Sequence, residues 1–327
     1  MKKIILITGA TGFIGLELSR HLCQLNYCPH LLVRRPSRAP LLGSLEARVF
    51  QGDLESPDSL KRACEGVETV IHLGARAIFE EYDLVKPTIV DGSVNLMQAA
   101  IEAGVKHFIY GSSLLVYNSQ ENPIDGNTPV NPVCGYGEAK LEAEERMTNM
   151  AQNSSLGLAN IRLPHVYGPG DLMFEQVRNG RVFFPGDGQN VFAHLHVYDA
   201  ARLLAAVAKQ KWVGTLPVAD YSDVTWNQYL AEIKKYYPRF NAYSIPQSLA
   251  ILFTYAIYPF RRMSTKPSVY TPGSVVSWNL NLPVKKGVLW EELNMQPHYS
   301  TIHDGIPAVL DDSIPFRWIH PIKDQFG

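Results

Sequence analysis

The stretch Thr8-Gly-Ala-Thr-Gly-Phe-Ile-Gly15 lies between an apolar run of strand length, Lys3-Ile-Ile-Leu-Ile7, and a segment with a helical pattern. Glycines at such a strand-to-helix turn let backbone N–H groups approach a pyrophosphate, which then rests at the N-terminus of the helix. The turn therefore predicts a dinucleotide cradle formed by Gly9, Thr11, Gly12, Phe13, Ile14 and Gly15.

A second stretch, Tyr136-Gly-Glu-Ala-Lys140, places a phenol and an ammonium four residues apart, on one face of a helix. An ammonium ~4 Å from a phenol contributes roughly 4 kcal/mol at an effective dielectric of about 20, which is about three pKa units. We expect Lys140 to lower the pKa of Tyr136 so that the phenol acts as a general acid–base near neutral pH. An isolated Tyr-x-x-x-Lys is more often a solvated helix face, but the glycine turn favours the catalytic interpretation.

Composition excludes some classes of protein. The chain has 327 residues, is 46% hydrophobic and carries a net charge of −1, which gives no reason to expect nucleic-acid binding. The sequence opens directly into a strand without a signal-peptide pattern, so we expect a cytoplasmic protein. Its cysteines follow no metal-ligand spacing and are expected to be reduced thiols: Cys23, Cys28, Cys64 and Cys134.

Strand and helix patterns alternate along the chain, which is typical of an α/β fold with a parallel sheet covered on both faces. Strands are predicted at Lys2–Thr8, His30–Arg34, Arg48–Gln51, Thr69–Leu73, Lys106–Ser112 and Ile161–Leu163. Helices are predicted at Gly12–Leu25, Asn95–Ala103 and Glu138–Met150. The sequence therefore predicts a Rossmann fold with a doubly wound parallel sheet.

The regular alternation ends after Pro169, where Gly and Pro are scattered and strand patterns become short. We assign residues 1–168 to a dinucleotide-binding Rossmann domain and expect residues 191–210 to return to it. Residues 169–190 and 211–327 are assigned to a smaller, mostly C-terminal substrate-binding lobe.

Six motifs follow one another in the order found in the extended short-chain dehydrogenase/reductase superfamily, which the chain resembles from its N-terminus to about Ala208. Six motifs in order are far more specific than a single glycine turn. They are Thr8–Gly15, Gly52–Leu54, Val70–Ala75, Gly111–Ser113 with Val116–Tyr117, Tyr136–Lys140 and Arg162–Asp171.

The resemblance implies an NAD(P)-dependent oxidoreductase that uses Ser113, Tyr136 and Lys140 as its catalytic residues. In the family the lysine also holds the nicotinamide ribose, and a hydroxyl at the end of the fifth strand binds the substrate oxygen. Spacing from Tyr117 favours Ser113 over Ser112 for that hydroxyl. The resemblance also implies a homodimer, and further cofactor contacts by Asp53, Leu54, Leu73, Gly74, Ala75, Pro164, His165 and Val166.

Residues after the second predicted strand bear on the choice of cofactor. Arg34 and Arg35 end this strand, and no acidic residue follows before Glu46. An acid at this position binds the adenosine ribose of NAD, whereas an arginine accommodates the 2′-phosphate of NADP. NADP(H) is therefore favoured, with NAD(H) as the alternative. Asp53 resembles the family's adenine contact, and its alternative role is to cap a helix near Ser56.

His194 and His196 alternate along a strand pattern and share a face, as two metal ligands would. No third ligand of suitable spacing appears nearby in the sequence, so we expect packing or hydrogen-bonding roles and no metal. A hydrolase is not expected either, because Gly111-Ser-Ser113 lacks the G-x-S-x-G pattern.

Phe192 stands where the sugar-nucleotide branch of the family places an arginine that binds a nucleotide diphosphate. A phenyl ring cannot neutralise a diphosphate, so we expect an apolar alcohol or ketone as substrate, as in the 3β-hydroxysteroid dehydrogenase and dihydroflavonol 4-reductase branch. Ile89, where many members carry asparagine, fits neither branch closely. A nucleotide-sugar enzyme and a non-enzymatic NAD(P) sensor are the alternatives, and the first would need cations from Arg178, Arg181, Arg261 or Arg262.

Residues 249–260 form an apolar patch, Leu-Ala-Ile-Leu-Phe-Thr-Tyr-Ala-Ile-Tyr-Pro-Phe. The patch is too short for a transmembrane helix, which needs about 20 residues. We favour a buried or substrate-facing helix with Tyr255, Tyr258 and Phe260 near the substrate, and do not expect membrane association. Arg261 and Arg262 leave an interfacial anchor as the alternative.

Overall fold

A computed structural model describes residues 4–38, 40–75, 79–261 and 271–312. In chain order, its strands are β1 (Ile5–Thr8), β2 (His30–Val33), β3 (Arg48–Gln51), β4 (Thr69–His72), β5 (His107–Ser113), β6 (Gly157–Leu163), β7 (His165–Tyr167), β8 (Arg181–Pro185), β9 (His194–His196), β10 (Gly214–Pro217) and β11 (Asn241–Ile245).

The helices pack around these strands, and several short helical turns connect them. The α-helices are α1 (Phe13–Gln24), α2 (Pro57–Cys64), α3 (Tyr82–Lys86), α4 (Gly92–Glu102), α5 (Gly135–Gln152), α6 (Leu172–Arg178), α7 (Val197–Gln210), α8 (Trp226–Tyr236), α9 (Gln247–Arg261), α10 (Pro272–Trp278), α11 (Val288–Glu292) and α12 (Ile302–Asp312). Short 3₁₀ segments span Pro36–Arg38, Pro40–Ser44 and Leu114–Val116, and a π-helical turn spans Pro87–Asp91.

A seven-stranded parallel sheet forms the centre of the molecule, in the order β10-β6-β5-β4-β1-β2-β3. Strands β1, β2 and β4 are buried along their whole length, as expected for apolar strands covered by helices on both faces. The strand order reverses at β1, and ligands of such sheets bind beyond the carboxyl ends of the strands at this point. The predicted α/β Rossmann fold is confirmed.

Two predicted boundaries differ from the structure in ways that affect the site. Strand β6 begins at Gly157 rather than Ile161 and pairs with β5 along its whole length. Helix α5 begins at Gly135 rather than Glu138, so Tyr136 lies in its first turn. Both differences arise because Gly and Asn weaken the local pattern, while tertiary pairing and packing decide the real ends.

The last strand of the sheet lies outside the ranges predicted for the Rossmann domain. Residues 191–210 supply β9 and α7, and α7 packs against α1. Strand β10, Gly214–Pro217, then pairs with β6 in the same sheet. The segment that returns to the Rossmann sheet therefore extends beyond the predicted end at residue 210. A four-residue edge strand bounded by Gly and Pro carries almost no sequence signal. The rest of the predicted lobe assignment stays a prediction.

The apolar patch at 249–260 corrects another expectation. It lies in α9, but only Ala250 and Thr254 of its described side chains are buried, whereas Leu252 is 65% exposed and Phe253 60% exposed. This described face of the helix is therefore exposed, and Tyr255 does not line the cavity. The side chains of Tyr258 and Phe260 lie outside the described part of the structure. Among the described residues, no helix combines the length and apolarity that crossing a bilayer requires.

A buried arginine joins the elements that surround the functional edge of the sheet. Arg162 of β6 is 8% exposed, and its Nη2 donates to Glu144 Oε2 of α5 at 2.7 Å while its Nε donates to both carboxylate oxygens. Its Nη1 donates to the Tyr117 hydroxyl at 2.7 Å, in the segment that follows β5. In register, Arg162 lies beside Ser112 of β5. One guanidinium thus holds α5, β6 and the end of β5 together.

We expect Arg162→Met to lower the free energy of unfolding by about 3–5 kcal/mol, because Glu144 would remain buried and charged without its partner. The matched control is Arg146→Met on the same helix. Arg146 Nη2 lies 2.6 Å from Glu142 Oε1, but both side chains of this pair are partly exposed to solvent. That control should change stability by no more than about 1 kcal/mol. Urea unfolding measures both, and equal effects would contradict a special role for Arg162.

Candidate functional site

A cavity of about 810 Å³ runs along the carboxyl edge of the sheet. Every site residue predicted from the sequence lines it, although these residues come from seven separate stretches of chain. They are Gly9, Thr11, Gly12, Phe13, Ile14, Gly15, Arg34, Arg35, Asp53, Leu54, Leu73, Gly74, Ala75, Ser113, Tyr136, Lys140, Pro164, His165 and Val166.

The glycine turn at the end of β1 has the shape that a dinucleotide requires. Gly9 has a φ of +73°, and a Cβ there would lie 2.6 Å from the Leu73 carbonyl oxygen. The first turn of α1 contains no acidic residue, and its N-cap, Gly12, provides no side chain to bind the free N–H groups. These N–H groups and the helix dipole are therefore available to an anion. The turn fits a pyrophosphate.

A buried hydrogen-bond chain supports this turn from below. Ser93 Oγ donates its proton to the Ile89 carbonyl, so it accepts a hydrogen bond from His72 Nε2 at 2.9 Å. Nδ1 of the neutral imidazole then accepts the Thr8 hydroxyl at 2.6 Å, and Thr8 Oγ1 accepts the Gly74 N–H at 3.0 Å. Burial, with a smaller contribution from Lys140, lowers the pKa of His72 to about 3, so the imidazole stays neutral. These hydrogen bonds fix β1 against β4 at the point where the glycine turn leaves the sheet.

Arg34, Arg35 and Asp53 line one region of the cavity. Arg34 and Arg35 follow β2 directly and are exposed. Asp53 Oδ1 accepts a hydrogen bond from the Glu55 N–H at 3.2 Å, before α2 begins. The N-cap of α2 is Ser56, so Asp53 does not cap that helix.

Tyr136 and Lys140 lie one turn apart on the buried face of α5. Lys140 Nζ donates to the Gly111 carbonyl of β5 at 2.7 Å and lies 4.6 Å from the ring centre of Tyr110. The ring centre of Tyr136 is 5.8 Å from the same nitrogen. A Cβ on Gly137 would collide with the Leu115 carbonyl, so only glycine lets α5 pack this closely against the segment after β5.

The expected lowering of the Tyr136 pKa is not found in this structure. Burial raises the pKa of Tyr136 well above its usual 10, and burial also lowers the pKa of Lys140 to about 7. Burial is the main cause for both groups, and the Lys140 ammonium donates to the Gly111 carbonyl. The phenol is therefore in its protonated form at neutral pH.

Both serines at the end of β5 line the cavity, but their hydroxyls differ. Ser113 Oγ accepts a hydrogen bond from the Leu115 N–H at 3.2 Å, which leaves its proton available. Ser112 Oγ is buried and has no partner among the described residues. The two side chains point to opposite faces of the strand.

At the other end of the cavity the sequence indicated Phe192, but it missed the lining residues of α6, α8 and α10, where the chain carries no recognisable motif. This end is mostly aromatic and aliphatic. Phe192 is 6% exposed and its ring centre lies 5.2 Å from that of Trp226. The apolar lining residues here are Phe79, Leu115, Leu172, Met173, Phe192, Trp226 and Trp278, and the polar ones are Thr88, Asp171, Gln176 and Ser277.

Glu144 was also missed, although its spacing could have indicated it. It follows Tyr136 and Lys140 at the same four-residue interval and is 3% exposed. Its carboxylate acts to raise the pKa of Lys140, against the effect of burial.

His194 and His196 have separate contacts. His194 Nδ1 lies 3.0 Å from His165 Nδ1, whereas His196 Nδ1 accepts the Tyr198 N–H at the start of α7. Within the described ranges, no group of three or more His, Cys, Asp or Glu side chains is placed to hold a metal ion.

Comparison with known proteins identifies several relatives. A ceramide reductase from Caulobacter vibrioides is 30% identical over 69% of this chain and 68% of its own length. A 2-alkyl-3-oxoalkanoate reductase from Stenotrophomonas maltophilia is 30% identical over 60% of this chain and 62% of its own length. A UDP-glucose 4-epimerase from Vibrio cholerae is 33% identical over 52% of this chain and 54% of its own length. The chain thus spans between about half and two thirds of these relatives.

Among solved structures, MoeE5 in complex with UDP-glucuronic acid and NAD superposes with a TM-score of 0.76. The two chains are 22% identical, and the match covers 95% of this chain and 99% of the other. This likeness concerns the fold.

The sequence profile of the NAD dependent epimerase/dehydratase family matches residues 5–216, which span most of the central sheet and include Ser113, Tyr136 and Lys140. This match confirms the family resemblance and with it the general prediction of an oxidoreductase of the extended short-chain dehydrogenase/reductase type. The chain therefore belongs to the NAD-dependent epimerase/dehydratase family.

Proposed function

We propose that this chain is an NADP(H)-preferring oxidoreductase that interconverts an alcohol and a ketone on a medium-sized, largely apolar substrate. The observation that carries the proposal is the division of the cavity into a cationic cofactor end and an apolar substrate end. Its described cationic side chains are Arg34, Arg35 and Lys140, and all three lie at positions assigned to the cofactor.

Electrostatics disfavour a diphosphate at the substrate end. A buried diphosphate needs cations or N–H donors around it. The rings of Phe192 and Trp226 occupy this wall instead, and Trp278 stacks 6.0 Å from Trp226. Such a surface stabilises an aliphatic or aromatic skeleton through burial of apolar area, at about 25 cal/mol per Å².

The relatives add support of a different kind. The names of the ceramide reductase and the 2-alkyl-3-oxoalkanoate reductase both describe reduction of compounds with long apolar chains. These names belong to those proteins. They agree with the apolar cavity wall of this chain and lead us to favour the direction of ketone reduction.

The proposed chemistry assigns one task to each catalytic side chain. When bound, the nicotinamide would supply or accept the hydride. Tyr136, protonated because burial raises its pKa, donates its proton to the substrate oxygen in reduction. Ser113 Oγ donates a hydrogen bond that orients the same oxygen. The Lys140 ammonium stabilises the resulting tyrosinate and would hold the nicotinamide ribose, and the Glu144 carboxylate favours its charged form.

The alternative, a nucleotide-sugar enzyme, is favoured by the Vibrio cholerae relative, which is named as a UDP-glucose 4-epimerase. This chain would have to supply the missing cations from elsewhere. Arg178 pairs with Glu175 at 3.6 Å, and Arg181 is exposed on β8. Neither lines the cavity. The Arg261 side chain and Arg262 lie outside the described part of the chain. A non-enzymatic sensor would not need Ser113, Tyr136 and Lys140 together.

Arg34 and Arg35 should make the protein bind NADPH at least about tenfold more tightly than NADH, which corresponds to about 1.4 kcal/mol. Arg34→Asp should reverse the preference, because a carboxylate repels the 2′-phosphate and accepts hydrogen bonds from a free ribose. Fluorescence titration with both cofactors measures this. Arg48→Asp, an exposed arginine on the adjacent β3, is the control and should leave the ratio unchanged. Equal dissociation constants in the unmodified protein would contradict the assignment.

Tyr136→Phe should lower kcat by about 100-fold or more, since only the proton-transferring oxygen is lost. Cofactor affinity should stay close to that of the unmodified protein. Tyr110→Phe is the matched control, because this second tyrosine also packs against Lys140 but is fully buried behind it. Ser113→Ala should reduce kcat more than Ser112→Ala does. A Tyr136→Phe enzyme with substantial activity would show that another group transfers the proton.

Substrate class is tested by thermal shift of the NADPH-saturated protein. We expect saturable stabilisation by steroid-like, flavonoid-like or long-chain ketones, and little by UDP- or dTDP-sugars, because the apolar wall offers a diphosphate no cation. Phe192→Arg should weaken ketone binding and improve binding of the sugar nucleotides. A saturable shift with a nucleotide sugar and none with the apolar ketones would favour the alternative function.

A further inference from the structure

The solvent side of α9 is a continuous apolar stripe. Leu249, Leu252 and Phe253 are 57%, 65% and 60% exposed, and their spacing puts them on one side of the helix. Tyr255 beside them is 56% exposed. The opposite side holds Ala250 and Thr254, which are buried against the protein. An amphipathic helix of a globular protein normally has the reverse orientation, with its large apolar residues inside.

A second exposed apolar pair lies just before this helix. Phe183 of β8 and Tyr243 of β11 are 41% and 47% exposed, and their rings stack with centres 5.6 Å apart. Strand β11 ends at Ile245 and α9 begins at Gln247, so the two apolar surfaces are consecutive in the chain. Arg181, also exposed, lies two residues before Phe183 on the same face of β8.

The charge of this part of the sequence is one-sided. Residues 233–290 contain no Asp or Glu, although the whole chain has a net charge of −1. Of the basic residues in this range, Lys234, Lys235, Arg239, Lys285 and Lys286 are exposed in the structure. The sequence adds three more directly after the apolar patch: Arg261, Arg262 and Lys266. An exposed apolar helix thus lies within a stretch of sequence whose charged residues are all basic, and of these Lys235 pairs with Glu232 just before the stretch.

We propose that α9, with Phe183 and Tyr243, anchors the protein in the interface of a membrane that contains anionic phospholipids. A helix with exposed Leu and Phe and with Lys and Arg in the flanking sequence has the composition of an interfacial anchor. Anionic headgroups complement the basic segment, and each Lys or Arg near such a surface contributes attraction that weakens with salt.

A second copy of this chain would cover the apolar stripe of α9 less favourably than an anionic membrane does. A twofold contact brings the same surface of both copies together. Two segments without any acidic residue would then face each other, and their like charges would repel. The apolar stripe alone therefore does not favour self-association, whereas a negatively charged lipid surface satisfies both the apolar and the basic groups.

The test is co-sedimentation of the full chain with vesicles of phosphatidylcholine alone or mixed with phosphatidylglycerol. We expect partitioning onto the anionic vesicles to exceed that onto neutral vesicles by about tenfold or more, and to fall at high salt. The double variant Leu252→Glu/Phe253→Glu should lose at least about tenfold of this partitioning. Leu41→Glu, at a leucine that is 58% exposed elsewhere on the surface, is the matched control and should bind as the unmodified protein does.

A charge variant, Lys234→Gln/Lys235→Gln, tests the basic segment without altering α9, and should weaken binding to anionic vesicles only. Circular dichroism and NADPH titration show whether each variant keeps its fold. The proposal is overturned if the unmodified protein does not bind anionic vesicles, or if Leu252→Glu/Phe253→Glu binds them equally well. A dimer that light scattering detects, that the stripe variant abolishes and that occurs without vesicle binding would assign the stripe to a second copy instead.

Discussion

The parallel register of the central sheet is the constraint on which the rest of this structure depends. Because all seven strands run in one direction, the glycine turn after β1, the arginines after β2, Ser113 of β5 and the 164–166 segment after β6 leave the same edge. Residues separated by more than a hundred positions thereby line one cavity. The close approach of Gly9 to the Leu73 carbonyl shows how tightly neighbouring strands must fit there, since no side chain larger than hydrogen has room.

The site also buries two charged side chains, Lys140 and Glu144. Lys140 is 3% exposed and has the Gly111 carbonyl as its hydrogen-bond acceptor. A buried ammonium loses its proton more easily than a solvated one, which is why the pKa of Lys140 lies near 7. The facing groups Tyr110, Tyr136 and His72 are neutral at pH 7, so Glu144 is the carboxylate that opposes this loss. Arg162 in turn holds the Glu144 carboxylate in position. Helix α5, which carries Tyr136 and Lys140, is therefore held in place by the same Arg162–Glu144 pair that affects the charge of Lys140.

Cationic and apolar side chains occupy separate regions of the cavity, and the surface near its apolar end is also apolar. The cavity's described cations, Arg34, Arg35 and Lys140, lie at the positions that we assign to the cofactor, and its far end is lined by rings from α8 and α10. Helix α10 packs against α9, whose apolar stripe faces outward. If α9 binds a lipid surface, the apolar end of the cavity lies on the side of the molecule nearest to that surface. This arrangement suits a substrate that dissolves better in lipid than in water.

The sequence by itself determined the fold class, the glycine turn, the Tyr136–Lys140 pair and the other predicted lining residues, because these depend on local patterns and on spacing within one helix or turn. Tertiary structure decided what local patterns cannot encode. It added β10 to the sheet, since an edge strand bounded by Gly and Pro is held by its pairing with β6. It raised the pKa of Tyr136 instead of lowering it, because burial depends on every surrounding element. It brought Trp226 and Trp278 to Phe192, and it turned the apolar side of α9 outward, since periodicity shows that a helix has an apolar face but not what that face contacts.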